Sequence, residues 1–262
     1  MFHIIIPARL SSSRLPHKIL ADLGGVPLVV RTAQQANKAN PISLTVAVDS
    51  AQVAHTIQQY GFNCVLTDVE HLTGTDRLAQ AVALLNLPNE SIIVNVQADE
   101  PMIDPELIHT VAHTLYQHTH CTIATAAHPL TSDHIVDIFN PNAVKVVCNK
   151  AGEALYFSRA PIPFARDAIG QSGTGLMQPN YHSNISHQQL PTVFRHIGIY
   201  AYRANFLRQY PNLSESPLEV VEKLEQLRAL WHGYRIAVLP WTKPTVAGVD
   251  TENDLNRVRQ FW

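Results

Sequence analysis

The chain has 262 residues, of which 46% are hydrophobic and 15% charged, and a formal net charge of −2 at neutral pH. These values fit an ordinary soluble globular protein of one large domain or two small ones with a sizeable core. They argue against a general nucleic-acid or membrane-binding surface, and no run approaches the roughly 18 apolar residues that a spanning helix needs.

Met1-Phe2-His3 leads into an apolar strand, Phe2–Ile6, without a basic segment or small-residue cleavage site, so no secretory leader is expected. Pro7 is expected to end that strand, and a polar loop follows that carries Arg9, Arg14 and Lys18. A loop leaving the C-terminal end of a buried strand is where α/β sheets bind ligands. Its three cations serve either the phosphates of one nucleotide or a merely solvated basic turn. Further strands are expected at Ser43–Val48, Asn63–Leu66, Ser91–Val96 and Cys121–Ala126. Helical periodicity marks Val26–Asn37, Ala51–Tyr60, Asp76–Leu85 and Pro105–Thr119. Near-continuous apolar strands alternating with helices imply a mainly parallel sheet covered on both faces, in a doubly wound α/β arrangement.

After Lys150 the order changes. Ala143–Cys148 and Ala154–Ser158 read as strands joined by a hairpin-type turn, Asn149-Lys150-Ala151-Gly152. The stretch from Ile162 to Thr192 is rich in Pro, Gly, Ser, Asn and His without a clear period, and reads as an inserted arm. His196–Tyr202 is a further strand. Ser216-Pro217-Leu218-Glu219 supplies an N-cap, a proline at the first helical position and a capping-box acid, opening a helix that continues through Leu230. A last strand, Arg235–Leu239, precedes a helix capped by Thr251 with Asp254 three residues on. One continuous domain with an arm and a small antiparallel portion describes this pattern. The three cysteines, Cys64, Cys121 and Cys148, are far apart and form no CxxC pair. Buried reduced thiols, and hence a cytoplasmic location, are expected.

Several positions can carry chemistry. In Val94-Asn95-Val96-Gln97-Ala98-Asp99-Glu100-Pro101 a buried strand ends in two acids. Such acids either hold a divalent cation, since Mg²⁺ takes one or two carboxylates plus phosphate oxygens, or cap the loop before the next helix. Gly248-Val249-Asp250-Thr251 poses the same choice; Thr251 can cap, which leaves Asp250 to join Asp99 in clamping a metal on a triphosphate. Thr73-Gly74-Thr75-Asp76-Arg77 is a helix start whose small residues admit a base or phosphate, or simply a helix start. Arg159 leaves a strand edge and either grips a substrate carboxylate or pairs at the surface. His196 and Tyr200, four apart on a strand, share one face, which lines a substrate or faces solvent. Glu222, Glu225 and Gln226 lie on adjoining turns of the expected 218–230 helix, and accept hydrogen bonds from sugar hydroxyls or form a solvent face. Histidine is abundant at 14, but the ligand spacings of zinc sites are missing.

Taken together, the segments IIPARLSSSRLPHK, TGTDRLAQ, IVNVQADEPMI, FNPNAVKVV, ALYFSRAPIP, RHIGIYAYR, SPLEVVEKLEQLRALWHG and GVDTENDLNRV make the chain resemble the bacterial 3-deoxy-manno-octulosonate (Kdo) cytidylyltransferases, nearly end to end. The resemblance implies an α/β fold of the nucleotide-diphospho-sugar transferase type, its central sheet mainly parallel and flanked by helices, with a small antiparallel portion and an inserted arm. Residues 1–150 would form a nucleotide-binding half and 151–262 a sugar-binding and dimerisation half of a homodimer. The implied reaction joins CTP and Kdo to give CMP-Kdo and pyrophosphate, with Mg²⁺, for the inner core of lipopolysaccharide. By matching position, Ala8, Arg9, Arg14 and Lys18 would belong to the CTP phosphate loop, and Thr73, Gly74 and Arg77 to the nucleotide pocket. Asp99 and Asp250 would hold Mg²⁺, while Arg9, Lys18, Asp99 and Asp250 would carry the catalysis. Gln97, Arg159, His196, Tyr200, Glu222, Glu225 and Gln226 would line the Kdo side. Two departures stand out: the family usually has glycine where His17 and Ala98 stand here, which bears on how closely nucleotide approaches backbone. The alternative within the class is another CMP-sugar synthetase, such as one for sialic acid, an α-keto acid sugar that the same arginine would serve.

Overall fold

A computed structural model describes residues 1–12, 15–71, 73–130, 137–164 and 193–262. Arg14 and residues 165–192 of the expected arm lie outside the described residues. The chain forms a mixed, mostly parallel α/β sheet flanked by helices, organised as two compact units that interleave along the sequence. The first comprises Met1–Thr122, Ile199–Leu213 and Lys243–Trp262, and the second Ile123–Gly198 and Ser214–Thr242.

In the first unit the strands are β1 (His3–Ala8), β2 (Ser43–Val48), β3 (Asn63–Leu66) and β4 (Ile92–Asn95), arranged in the order β3-β2-β1-β4 and all parallel. The intervening helices are α1 (Leu28–Asn37), α2 (Ala51–Gln59), α3 (Gly74–Leu84) and α4 (Pro105–Gln117). Ile4, Ile5, Ile6, Val46, Val48, Ile93 and Val94 are buried almost completely, as strands covered on both faces require. β1 does not stop before Pro7 but continues through it to Ala8. The reason lies in the pairing: β2 accompanies β1 over its whole length, whereas β4 pairs only with His3–Ile5. Pro7 thus stands beyond the last pair with β4, where a missing N–H is tolerated.

The helix starts follow their caps. The Thr73 hydroxyl accepts from Asp76 N at 3.1 Å to open α3, and the Asp104 carboxylate accepts from Glu106 N at 2.9 Å to open α4, with Pro105 in its first turn. Helical segments that periodicity did not mark include a short 3₁₀ turn, Lys18–Leu20, α5 (Ala204–Gln209) and a second 3₁₀ turn, Tyr210–Asn212.

The second unit holds β5 (Ile123–Pro129), β6 (Lys145–Cys148) and β7 (Ala154–Ser158). A longer strand, β8 (Phe194–Arg203), contributes Phe194–Gly198 here and Ile199–Arg203 to the first unit, where it runs antiparallel to β4. β6 pairs antiparallel with β7 and with Phe194 and Arg195 of β8, while β5 pairs parallel with β9 (Ile236–Pro240). The expected continuous helix over 218–230 is instead two short helices, α6 (Pro217–Glu222) and α7 (Gln226–Trp231), because Lys223 takes left-handed backbone with φ 54°. The expected capping box is present: the Ser216 hydroxyl accepts from Glu219 N, and the Glu219 carboxylate accepts from Ser216 N. The buried Arg228 donates to both oxygens of Glu219, at 2.8 and 2.7 Å, and staples α7 to α6.

The C-terminal helix α8 (Glu252–Arg259) opens on the expected Thr251–Asp254 capping box. Its Leu255 and Val258 pack with Leu23, Leu28 and Val249 in one buried cluster, which ties the chain just after Gly248 to the chain just after Lys18. All three cysteines are free thiols. Burial pushes those of Cys64 and Cys148 up to about 11, so both stay protonated at neutral pH.

The departure at His17 now has a structural meaning. His17 has φ 53° and ψ 29°, left-handed backbone in which glycine is at ease and other residues are strained by about 1 kcal/mol. We expect His17→Gly to be neutral or to stabilise the fold by up to about 1 kcal/mol in urea melts, whereas His17→Ala, which keeps the β-carbon, brings no such gain. A clear loss of stability in the glycine variant would show that the imidazole itself holds the loop.

Candidate active site

The first unit gathers three of the expected residues at one point. Lys18 Nζ donates to Asp99 Oδ2 at 2.6 Å and to Asp250 Oδ1 at 3.0 Å. The lysine side chain is only 12% exposed, against 28% for Asp99 and 44% for Asp250. Each member arrives by a different route: Lys18 from the 3₁₀ turn after β1, Asp99 from the loop after β4, and Asp250 from the loop before α8.

Main-chain contacts hold these routes together. Val249 N donates to Asp99 O at 2.8 Å, clipping the Asp250 loop onto the Asp99 loop. Gly248 eases that clip: a β-carbon there would lie 3.2 Å from Asp99 O and 3.4 Å from Glu100 Cγ, so its neighbours would have to give slightly. On the other side, the buried Thr32 hydroxyl of α1 donates to Ala98 O at 2.9 Å. Ala98 is not in left-handed backbone, so alanine is accommodated at this second departure from the family pattern. Burial, and then the neighbouring Asp99 charge, push the Glu100 carboxyl up to about 8. The Glu100 carboxyl is therefore mostly protonated at neutral pH.

Upstream of Lys18 the loop is supported by an acid that the motif reading missed. Asp49, directly after β2, accepts Leu10 N at 3.0 Å through Oδ1 and the guanidinium of Arg77 at 3.3 Å through Oδ2. Arg77 also donates to the Thr67 hydroxyl at 2.6 Å and is 3% exposed. Burial lowers its proton affinity, and the Asp49 charge restores part of it. Arg77 thus braces the loop from beneath. Gly74, at the start of α3, faces Pro7 at ordinary contact distance, and Ala8 is buried at the end of β1. Arg9 is exposed and lines an open cavity of about 420 Å³ with Leu10, Ser11, Ser12, Pro16 and His17. Gln97, in the same loop as Asp99, accepts Glu100 N through its backbone carbonyl. Tyr200 stacks on Tyr202 with ring centroids 5.7 Å apart.

In the second unit the remaining candidates form a network of their own. The Glu222 carboxylate accepts from the Ser158 hydroxyl at 2.6 Å and from Arg159 N at 2.9 Å. Arg159 donates through its guanidinium to three main-chain carbonyls: Glu222 at 2.7 Å, Pro141 at 2.9 Å and Lys223 at 3.4 Å. Two of these acceptors, the carbonyls of Glu222 and Lys223, are freed where α6 ends, at the break that sequence periodicity did not anticipate. Glu222 and Gln226 accordingly stand on separate helices, with Glu225 at the N-cap of the second. The amide Nε2 of Gln226 is buried without a hydrogen-bond acceptor among the described residues. His196 Nε2 is 2.8 Å from the Thr125 hydroxyl, and its ring meets Phe157 edge-on. Burial pushes the imidazole down to about 4, so it is neutral at neutral pH. Lys145, fully buried, donates to Asn140 O and Arg159 O at 2.9 and 2.7 Å. Burial brings its ammonium down to about 8 against the opposing pull of Asp137 and Glu222.

Comparison with known proteins identifies the family. Residues 3–236 match the family described as Cytidylyltransferase, and the chain belongs to that family. Among solved structures, it is 34% identical to CMP:2-keto-3-deoxy-manno-octonic acid synthetase complexed with CTP, over 100% of this chain and 98% of that one, with a TM-score of 0.83. A cytidylyltransferase from Leptospira borgpetersenii serovar Hardjo-bovis (strain JB197) is 15% identical over 98% of this chain and 84% of that one; with a TM-score of 0.57 it attests the fold alone.

Two outcomes follow from the site's geometry. Gly248→Ala should lower kcat/KM for pyrophosphate release by about tenfold, and Gly248→Val by more, because the added carbon pushes Asp250 away from Asp99; wild-type rates in both would show that the clip does not set the carboxylate spacing. For His196, the unfolded chain binds more protons than the folded one between about pH 4 and the ordinary value of 6.5. Stability is therefore fully present above that window and is lost as pH falls through it, by at most about 3 kcal/mol. Denaturation of His196→Gln at pH 7.5 and pH 4.5 should show a shallower loss than wild type; equal slopes would exclude this histidine as the source.

Proposed function

We propose that this cytidylyltransferase couples CTP to the sugar acid Kdo, releasing pyrophosphate and CMP-Kdo for the inner core of lipopolysaccharide. The observation that carries the reading is the convergence of Asp99 and Asp250 on a single cation, the Lys18 ammonium, beside the exposed Arg9 loop. Carboxylates that close on one point form the hard oxygen donor set that suits Mg²⁺. The residues therefore fit a bound Mg²⁺, which when present supplies charge neutralisation on the phosphates and polarises the α-phosphorus.

Asp99 and Asp250 would hold the ion, and Arg9, Arg14 and Lys18 would bind the triphosphate and offset charge on the departing pyrophosphate. The anomeric hydroxyl of Kdo attacks the α-phosphorus and loses its proton to solvent; the new O–P bond forms as the bond from the α-phosphorus to the bridging oxygen breaks and pyrophosphate leaves with that oxygen. Asp49 and Arg77 keep the phosphate loop in place throughout, with Thr73 and Gly74 bordering the nucleotide. Candidate contacts to the sugar acid are Gln97, Arg159, His196, Tyr200, Glu222, Glu225 and Gln226. Support for a polar substrate comes from the buried Gln226 amide, which has no acceptor among the described residues and is costly to leave unpaired. The choice of Kdo rests on the full-length similarity to a CMP:2-keto-3-deoxy-manno-octonic acid synthetase. We also propose a homodimer in the cytoplasm: Leu155, Val220, Val221 and Trp231 of the second unit are large exposed apolar residues. No helix among the described residues is long and apolar enough to cross a membrane.

The test is pyrophosphate release from CTP with Kdo or with N-acetylneuraminate, each with Mg²⁺ and with chelator. Release with Kdo and Mg²⁺ only is expected. Release with N-acetylneuraminate alone would transfer the reading to sialic acid, and release with neither would remove it. Asp99→Asn should lower kcat by two orders of magnitude or more while the melting temperature moves by only a few degrees; a near-normal Mg²⁺-supported rate would exclude the metal role.

A further inference from the structure

We propose that Lys18 is the resting counter-ion of the Asp99–Asp250 pair, so that a divalent ion enters this seat together with nucleotide and not before it. The inference rests on the reading of these two carboxylates as metal ligands. Its basis is position. Lys18 Nζ lies 2.6 Å from Asp99 Oδ2 and 3.0 Å from Asp250 Oδ1, already taking up the two oxygens that converge. A Mg²⁺ bonded to that Asp99 oxygen at about 2.1 Å sits no farther than about 4.7 Å from Nζ, whichever side it approaches. A divalent ion and an ammonium that close, in a site where the lysine side chain is only 12% exposed, repel strongly. The ion and the resting Lys18 thus compete for one seat.

Nucleotide resolves the competition because it offers Lys18 another partner. The lysine stands at the start of a 3₁₀ turn, directly after His17, which lines the open cavity together with Arg9. Its four-carbon stem can turn the ammonium toward phosphate oxygens by rotation about side-chain bonds, without moving the turn. The same phosphates complete the ligand set of the arriving ion, since Mg²⁺ is usually held by one or two carboxylates plus substrate phosphates. Ion and nucleotide are then positively coupled through Lys18, and the coupling is reciprocal. In the resting state the lysine also places a positive charge between the two carboxylates.

The experiment uses Mn²⁺ as the probe, with binding to the full chain followed by its electron paramagnetic resonance signal. Wild type, Lys18→Met, Lys18→Gln and Lys18→Met/Asp250→Asn are compared with and without CTP. Without nucleotide, Lys18→Met and Lys18→Gln should bind Mn²⁺ at least tenfold tighter than wild type, and Asp250→Asn in the Met background should abolish that gain. CTP should raise the Mn²⁺ affinity of wild type by a larger factor than that of either lysine variant. Mn²⁺ affinity in both lysine variants equal to or weaker than wild type without CTP would overturn the proposal, as would an equal effect of CTP on all of them. Absence of pyrophosphate release with CTP and Kdo would remove the functional reading alone, since the arms without nucleotide measure the competition directly.

Discussion

A single ammonium group joins three parts of the chain that lie far apart in sequence: Asp99 is 81 residues from Lys18, and Asp250 is 232. The geometry of the parallel sheet makes this meeting possible. β1 and β4 are neighbours running the same way, so the loops that leave their C-terminal ends emerge at one edge. Asp250 has no strand of its own in this set and is brought in by two other devices. One is the burial of Leu255 and Val258 against Leu23 and Leu28, and the other is the hydrogen bond from Val249 N to Asp99 O. Exposed ion pairs contribute little, typically about 0–1 kcal/mol. The lysine here is mostly buried, so losing a carboxylate leaves an ammonium that water reaches poorly, whereas losing the cation leaves two partly exposed carboxylates facing each other. The arrangement is better understood as a seat that needs some cation than as a source of stability.

Around that seat the protein is built in two grades of rigidity. The supports are neutral or mutually compensated and buried: the Thr32 hydroxyl on Ala98 O, and Arg77 spread between Asp49 and Thr67. The groups above them are exposed, as Arg9 and His17 are. Asp49 links the grades, because one carboxylate oxygen faces the buried guanidinium while the other holds the N–H of Leu10 in the loop. A loop fixed at its base and open at its tip can present cations to a polyanion and still adjust to it.

Much of this frame was legible in the sequence, and the failures are instructive. Ser43–Val48, Asn63–Leu66 and Ala154–Ser158 are strands with the expected ends, because apolar runs bounded by turn residues specify them locally. The capping boxes at Ser216 and Thr251 were equally local signals. Asp99 and Asp250 stood out as acids next to strand or helix ends, and the structure brings both to Lys18. Asp49 carried the same signal, an acid directly after the buried strand ending in Val48, but no basic or glycine-rich motif surrounds it to draw notice. The break at Lys223 could not be read at all. Lysine is a good helix former, and the carbonyls freed at the break are taken up by Arg159, 64 residues away in sequence from Lys223, which no local pattern announces.

That break also changes what Arg159 can do. Three of its five N–H groups are committed to main-chain carbonyls, and its own backbone is held by Glu222 through N and by Lys145 through O. An arginine so fixed forfeits little side-chain entropy when a further acceptor arrives, and its two remaining N–H groups have a set direction. Glu222 is drawn into the same framework: its carboxylate accepts from Ser158 and Arg159 before any sugar hydroxyl is considered. The sequence offered Arg159 and Glu222 as separate candidates, each either for a substrate contact or for the protein surface. In the folded unit they form one braced element, in which the carboxylate orients the segment and the guanidinium retains spare donors. Recognition of a carboxylate-bearing sugar would then depend on Lys145 and Glu222 through the placement of Arg159, and on Arg159 through direct contact.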